Sequence, residues 1–203
     1  MYRVLAFVAL LEFSATLVAA DEGFVPLFDG ESLAGWQGDA QLWSVADGAI
    51  VGTTDNKQIT KNTFLATEKN YDNFVLKLKF KMRNGNSGAQ FRSKSLPEHV
   101  VQGYQADIAD NQFMGILYEE GGRGILVNVQ PEAVKPHIKA DDWNEYVITA
   151  DGPHITQVLN GYTTVDYTEK SDVGAKSGVI ALQLHVGPKM RVQFKDVEIK
   201  ELP

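Results

Sequence analysis

From Phe24 onward the chain is dominated by period-2 alternation. Phe74, Leu76, Leu78, Phe80 and Met82 alternate with Val75, Lys77, Lys79 and Lys81, the pattern of a strand with one buried face. Tyr146 and Ile148 fall in a similar run after Trp143. Ile155, Val158 and Leu159 lead to Asn160-Gly161, a two-residue hairpin signal because both central residues of a type I′ turn need positive φ. Asp47-Gly48 offers the same turn between Trp43-Ser44-Val45 and Ile50-Val51. Ile180, Leu182 and Leu184 share one face, and after Gly187-Pro188 so do Met190, Val192 and Phe194. The apolar parity then switches to Val197 and Ile199, which predicts a bulge near Lys195-Asp196. Helical periodicity is scarce, with room for a turn or two at 131–141. About ten or more strands with almost no helix predict an all-β fold: two antiparallel sheets in a jelly-roll sandwich, with a barrel second.

Residues 1–20 follow a different pattern. Arg3 precedes apolar runs at Val4–Leu11 and Phe13–Val18, and Val18-Ala19-Ala20 before Asp21 matches what a signal peptidase accepts. Glu12 interrupts a stretch that a membrane anchor would need unbroken over roughly 20 residues. The expectation is a signal peptide at 1–20 and one domain at 21–203, with no membrane insertion after cleavage.

Composition narrows the function classes. At 203 residues and 44% apolar, the chain can bury a sizeable core. Its net charge of −7 argues against nucleic acid and anionic lipid as partners. Cysteine is absent, which removes disulfides, thiolate metal sites and thiol nucleophiles together. Export without cysteine points to a bacterial envelope protein, periplasmic or extracellular.

Three strands carry polar pairs opposite an apolar set. Gln90 and Arg92 oppose Ala89 and Phe91; Gln105 and Asp107 oppose Tyr104, Ala106 and Ile108; Gln183 and His185 oppose Ile180, Leu182 and Leu184. An ordinary solvated face would give the same alternation, but the lysine face at 77–81 shows what such a face looks like in this chain. Amides, a guanidinium, a carboxylate and an imidazole can instead bind sugar hydroxyls and move protons. Tyr118, Glu119, Glu120 and Arg123 flank Gly121-Gly122 and read as a hairpin loop that could wall a cleft or be plain turn chemistry. Trp36 reads as a core or edge packer, and His99, His137 and His154 as solvated loop residues. Phosphate loops, zinc-protease motifs and nucleophile elbows are missing. Asp29, Asp107, Asp110 and Glu119 could help bind a divalent cation, but their spacing matches no calcium loop.

Phe28-Asp29-Gly30-Glu31-Ser32-Leu33-Ala34-Gly35-Trp36, then Trp43 to Gly52, resembles the opening of the 3-keto-disaccharide hydrolase domain family. The resemblance continues through Asn86 to Ser93, Gly103 to Ile108, Trp143 to Tyr146 and Leu159 to Gly161, and ends with Gly178 to Pro188 and Phe194 to Val197. No one block is specific; the ordered set over 24–203 is. It implies a concanavalin A-like jelly roll of exported bacterial proteins that cleave sugars already oxidised to a ketone at C3. Many family members carry Glu where this chain has Gln105 and Gln where it has Asp107, so the carboxylate sits one step along the same strand face. The C3 ketone acidifies the C2–H, so one base, one leaving-group acid and an enolate stabiliser suffice. Asp107 and His185 are the candidates for base and acid, and Arg92 for the stabiliser. Gln90, Gln105, Gln183, Tyr118, Glu119 and Lys189 are the candidates for holding an oligosaccharide or glycoside substrate. No cofactor is certain, and a divalent cation could replace or assist Arg92. The alternative function is a non-catalytic, lectin-like carbohydrate-binding module, because the same sandwich serves lectins.

Overall fold

The computed structural model describes residues 23–203; the segment read as a signal peptide lies outside the described residues. The strands are β1 (Val25–Pro26), β2 (Trp36–Gln37), β3 (Trp43–Ala46), β4 (Ala49–Thr53), β5 (Thr63–Tyr71) and β6 (Phe74–Arg83). Next come β7 (Asn86–Leu96), β8 (Val100–Ala109), β9 (Leu117–Glu120) and β10 (Gly124–Val127). The single-turn helix α1 (Pro131–Val134) and a 3₁₀ turn at Lys135–His137 fill the stretch where helical pattern was expected. The chain closes with β11 (Asn144–Asp151), β12 (His154–Leu159), β13 (Tyr162–Thr168), β14 (Gly178–Leu184) and β15 (Arg191–Glu201).

Two antiparallel sheets result. One runs β13-β12-β11-β6-β15-β4-β3, with β1 on β15; the other runs β10-β9-β8-β7-β14-β5-β2. The alternation in β6 explains its place, since Phe74, Leu76, Leu78 and Phe80 are buried while the intervening lysines face out half-exposed. Every residue of β14 is buried, as befits a strand flanked by β7 and β5 in the middle of its sheet. The core between the sheets is aromatic and aliphatic: Phe80 stacks on Tyr146 at 5.4 Å and Phe91 on Tyr104 at 5.6 Å between ring centroids.

The turns follow the sequence. Asn160 and Gly161 take φ of 49° and 84° between β12 and β13, and Asp47 and Gly48 take 52° and 70° between β3 and β4. The parity switch in β15 is a register shift between Lys195 and Glu198, with Asp196 at φ 49°. The jelly-roll sandwich expected from the pattern is the fold observed. Trp36 is buried and donates its indole N–H to the Leu27 carbonyl at 2.7 Å, a packing role.

Candidate active site on the outer face of the β7-β8-β14 sheet

Strands β7, β8 and β14 bring Gln90, Gln105, Asp107 and Gln183 onto one surface. Their sequence neighbours Ala89, Phe91, Ala106, Ile108, Leu182 and Leu184 all enter the core between the sheets, so pleating turns the four polar residues the other way. Register sets their spacing. Gln90 lies across from Gln105, Gly88 across from Asp107, and Gln105 across from Tyr118 on β9. All four polar side chains are buried, in contrast to the lysine face of β6. A small apolar cluster of Phe64, Ala66, Val101, Val179 and Ala181 is buried beside them.

The four side chains form one directed chain of hydrogen bonds. Ser93 Oγ donates to Gln90 Oε1 at 2.8 Å, and Gln90 Nε2 donates to Gln105 Oε1 at 2.6 Å. Gln105 Nε2 then donates to Asp107 Oδ1 and to Gln183 Oε1, both at 3.3 Å. Gln183 Nε2 donates to Glu120 Oε2 at 3.3 Å, and Asn62 Nδ2 donates to Glu120 Oε1 at 3.0 Å. Gln90 donates to Gln105, and Gln105 and Gln183 donate to the carboxyl groups of Asp107 and Glu120, so the polarisation along the chain converges on those two. Gly88 makes the crossing possible, because a side chain there would occupy the space that Gln105 uses.

Asp107 is held at its backbone and tuned at its carboxyl. Its carbonyl accepts the Tyr146 hydroxyl at 2.8 Å and the Gly115 N–H at 3.2 Å. Burial pushes its carboxyl up to about 7. The N–H groups of Asn86 and Gln105 work against that shift, and the charge of Glu120 adds to it. Asn86 Nδ2 donates to Oδ1 at 2.8 Å, the same oxygen that Gln105 reaches. Among the described residues Oδ2 has no hydrogen-bond partner, which leaves it to exchange a proton. A carboxyl poised near neutrality can take a proton or give one at physiological pH. Burial also raises Tyr118 above the usual phenol value, with Glu120 and Asp107 adding to it, so its hydroxyl stays protonated as a donor.

The structure does not bring all the predicted residues together. Simple alternation put Arg92 beside Gln90, but β7 breaks register between Phe91 and Lys94, and Arg92 takes a left-handed φ of 46°. Its guanidinium instead reaches the Asp72 carbonyl at 2.6 Å, the Gly152 carbonyl at 2.7 Å and Asn73 Oδ1 at 2.9 Å. Glu119 faces away from Tyr118. Arg123 holds it at 2.7 Å and also holds Glu169 at 2.7 Å, while the Tyr104 hydroxyl donates to Glu169 at 2.7 Å. Lys189 gives its ammonium to the Asp55 carbonyl at 2.9 Å. His185 follows the end of β14, half-buried, with Nδ1 2.5 Å from the Val186 carbonyl. Sequence reasoning missed Asn86 and Asn62, and placed Glu120 only on a hairpin loop that could wall a cleft. Glu120 was readable as the residue that alternates with Tyr118, whereas Asn62 precedes its strand and carries no periodic signal. Among the described residues no group of three or more His, Asp or Glu side chains is placed to hold a metal ion, and no helix is long and apolar enough to cross a membrane.

The same fold occurs in solved proteins. A candidate glycosyl hydrolase from Parabacteroides distasonis superposes with a TM-score of 0.66 at 24% identity, covering 89% of this chain and 95% of its own. The carbohydrate-binding module CBM66 from Bacillus subtilis superposes at 0.64 with 14% identity, covering 82% and 96%. A galectin-like protein from the same organism gives 0.58 at 9% identity, covering 82% and 89%. No curated protein sequence matches the chain. The model of the 3-keto-alpha-glucoside-1,2-lyase-like domain matches residues 23–200. With that match over nearly all of the described fold, the chain belongs to the 3-keto-alpha-glucoside-1,2-lyase-like domain family, and its fold is a jelly-roll sandwich.

Proposed function

We propose that the protein cleaves the glycosidic bond of 3-keto-glycosides or 3-keto-disaccharides by elimination across C1–C2. The observation that carries this reading is Asp107: a buried carboxyl raised to about 7, with one oxygen fixed by two amides and the other without a partner. Oδ2 removes the C2 proton, and the C–H electron pair forms the enolate of the C3 ketone. Collapse of the enolate breaks the C1–O bond, and the leaving oxygen takes a proton from a neighbouring acid. The role is assigned to His185, one alternation beyond Gln183 and just past the end of β14. Addition of water to the resulting enone gives the free 3-keto-sugar; release before addition gives the lyase product.

The enolate needs a donor. Arg92 is committed elsewhere, so the role falls to the Tyr118 hydroxyl, which faces the same surface as Gln105 and stays protonated. Gln90, Gln105 and Gln183 hold sugar hydroxyls through amide groups that their mutual bonds keep in place.

The test is incubation with 3-keto-trehalose and 3-keto-sucrose beside their unoxidised parents. Monosaccharide release from the keto forms alone is expected; cleavage of the parents but not the keto forms would overturn the mechanism. A carbohydrate-binding module is the second reading, favoured by the fold shared with CBM66. It predicts that none of the four sugars is cleaved and that Asp107→Asn changes affinity only.

A further inference from the structure

Arg92, at the register break of β7, lines a cavity of about 530 Å³ whose wall does not include Asp107. The cavity lies between the β5–β6 turn, the β11–β12 turn and the loop after β13, with Lys170 and Lys176 in its wall. Its volume falls in the range of small-molecule sites, about 300–1,000 Å³.

Three observations set Arg92 apart from an ordinary structural arginine. It is 3% exposed, yet all three of its hydrogen bonds go to neutral oxygens. A guanidinium carries five N–H donors, so two remain. Asp72 and Asp151 are near enough to favour its charge, but neither carboxylate bonds to it. Glu169 and Asp172 are the other acids in the wall, and Glu169 is already engaged by Arg123 and Tyr104. A buried cation is normally matched by an anion, and this one has only carbonyl and amide partners. The backbone adds a cost, because φ of 46° at a non-glycine residue is strained and such strain concentrates at ligand sites. Gly178 maintains it: a Cβ there would lie 2.4 Å from the Arg92 carbonyl carbon, so β14 can pass the bulge only as glycine.

We propose that this cavity binds a carboxylate-bearing saccharide, a hexuronate or a sugar chain that carries one, with the carboxylate on the Arg92 guanidinium and Lys176 at the entrance. A planar fork matches a carboxylate with two parallel N–H bonds, which a neutral sugar cannot reproduce.

The test is titration of the intact protein with D-glucuronate, with D-glucose as the neutral control, followed by NMR shifts of the Arg92 side-chain and Lys176 backbone N–H signals. Glucuronate should move both signals and bind at least tenfold more tightly than glucose, and the difference should shrink as salt rises. Lys176→Glu, on an exposed loop, should weaken glucuronate at least tenfold without changing Tm. Arg92→Lys keeps the charge but loses the fork and should weaken it by a similar factor; if that variant unfolds, Lys176→Glu decides. Equal binding of the two sugars, no shift at Arg92, or unchanged affinity in Lys176→Glu would overturn the proposal. Because the readout is binding away from Asp107, it succeeds or fails independently of turnover.

Discussion

The side chain of Gln105 lies over Gly88, where a Cβ would come within 2.5 Å of both its Cγ and its Cδ. The gap left by the missing side chain lets the amide reach Asp107 on its own strand and Gln183 two strands away. One glycine therefore joins three strands into a single polar surface.

Gly88→Ala should displace that amide. Loss of the two bonds leaves the Asp107 carboxyl held by Asn86 alone, and a misplaced catalytic group can cost about a hundredfold in rate. Overpacking should cost about 1–3 kcal/mol of stability. Turnover of a 3-keto-glycoside and thermal unfolding measure the two effects separately; unchanged turnover would mean that Gln105 plays no part in positioning.

Asp107→Asn should abolish turnover and at the same time stabilise the protein above neutral pH. The folded carboxyl is raised to about 7, against about 3.9 unfolded. The folded state therefore holds the proton more tightly, and this group's contribution is full below about pH 4 and is lost as pH rises to about 7. The amide removes that loss, which amounts to about 4 kcal/mol at pH 8 before any weakening of the Asn86 and Gln105 bonds. Denaturant unfolding of both proteins at pH 4, 6 and 8 checks the sign. A variant less stable than the parent at pH 8 would show that the charged carboxylate is a needed structural partner.

Glu120→Gln should move the acidic limb of the kcat/KM profile to lower pH. The charge of Glu120 helps keep the Asp107 proton on, so its removal leaves Asp107 ionised further into acid. The amide oxygen can still accept from Gln183, but its NH2 then faces the Asn62 donor, so about 1 kcal/mol of stability should be lost. A limb that stays in place would show that the titrating base is not Asp107.

Arg123→Met should destabilise the fold by about 2 kcal/mol at pH 7 and leave the rate nearly unchanged. Arg123 holds Glu119 below its usual range and Glu169 at about 2, and both carboxylates are largely buried. Depressed carboxyls stabilise above their unfolded value of about 4.3, and for Glu169 that contribution fades as pH falls toward 2. The variant should therefore show a flatter stability profile between pH 4.5 and 2. A large loss of turnover with an intact fold would place this cluster in the active surface.

The mature protein should begin at or near Asp21 and be found outside the cytoplasm, since Val18-Ala19-Ala20 closes the apolar N-terminal runs. The intact mass of protein from an envelope fraction decides this. A cytoplasmic species that retains Met1 would refute it.

The sequence by itself determined every property that depends on short-range parity. Phe74 to Met82 had to be a half-buried strand, Asn160-Gly161 had to turn, and the shift from Phe194 to Val197 had to be a bulge, because each follows from neighbours along one strand. Gln105, Asp107 and Gln183 were legible for the same reason: their neighbours are apolar, so pleating turned them away from the core together. Only the tertiary structure decided what those side chains meet. The burial that raises Asp107, the Asn86 donor at Oδ1 and the carboxylate of Glu120 come from other strands that its own strand's pattern does not specify. Arg92 shows where parity fails. Its own neighbours place it beside Gln90, but Gly178, 86 positions later, permits the close approach that lets β7 bulge and sends the guanidinium to two turns at the end of the sandwich. A bulge is stabilised by what packs against it, and that partner is invisible in the local pattern.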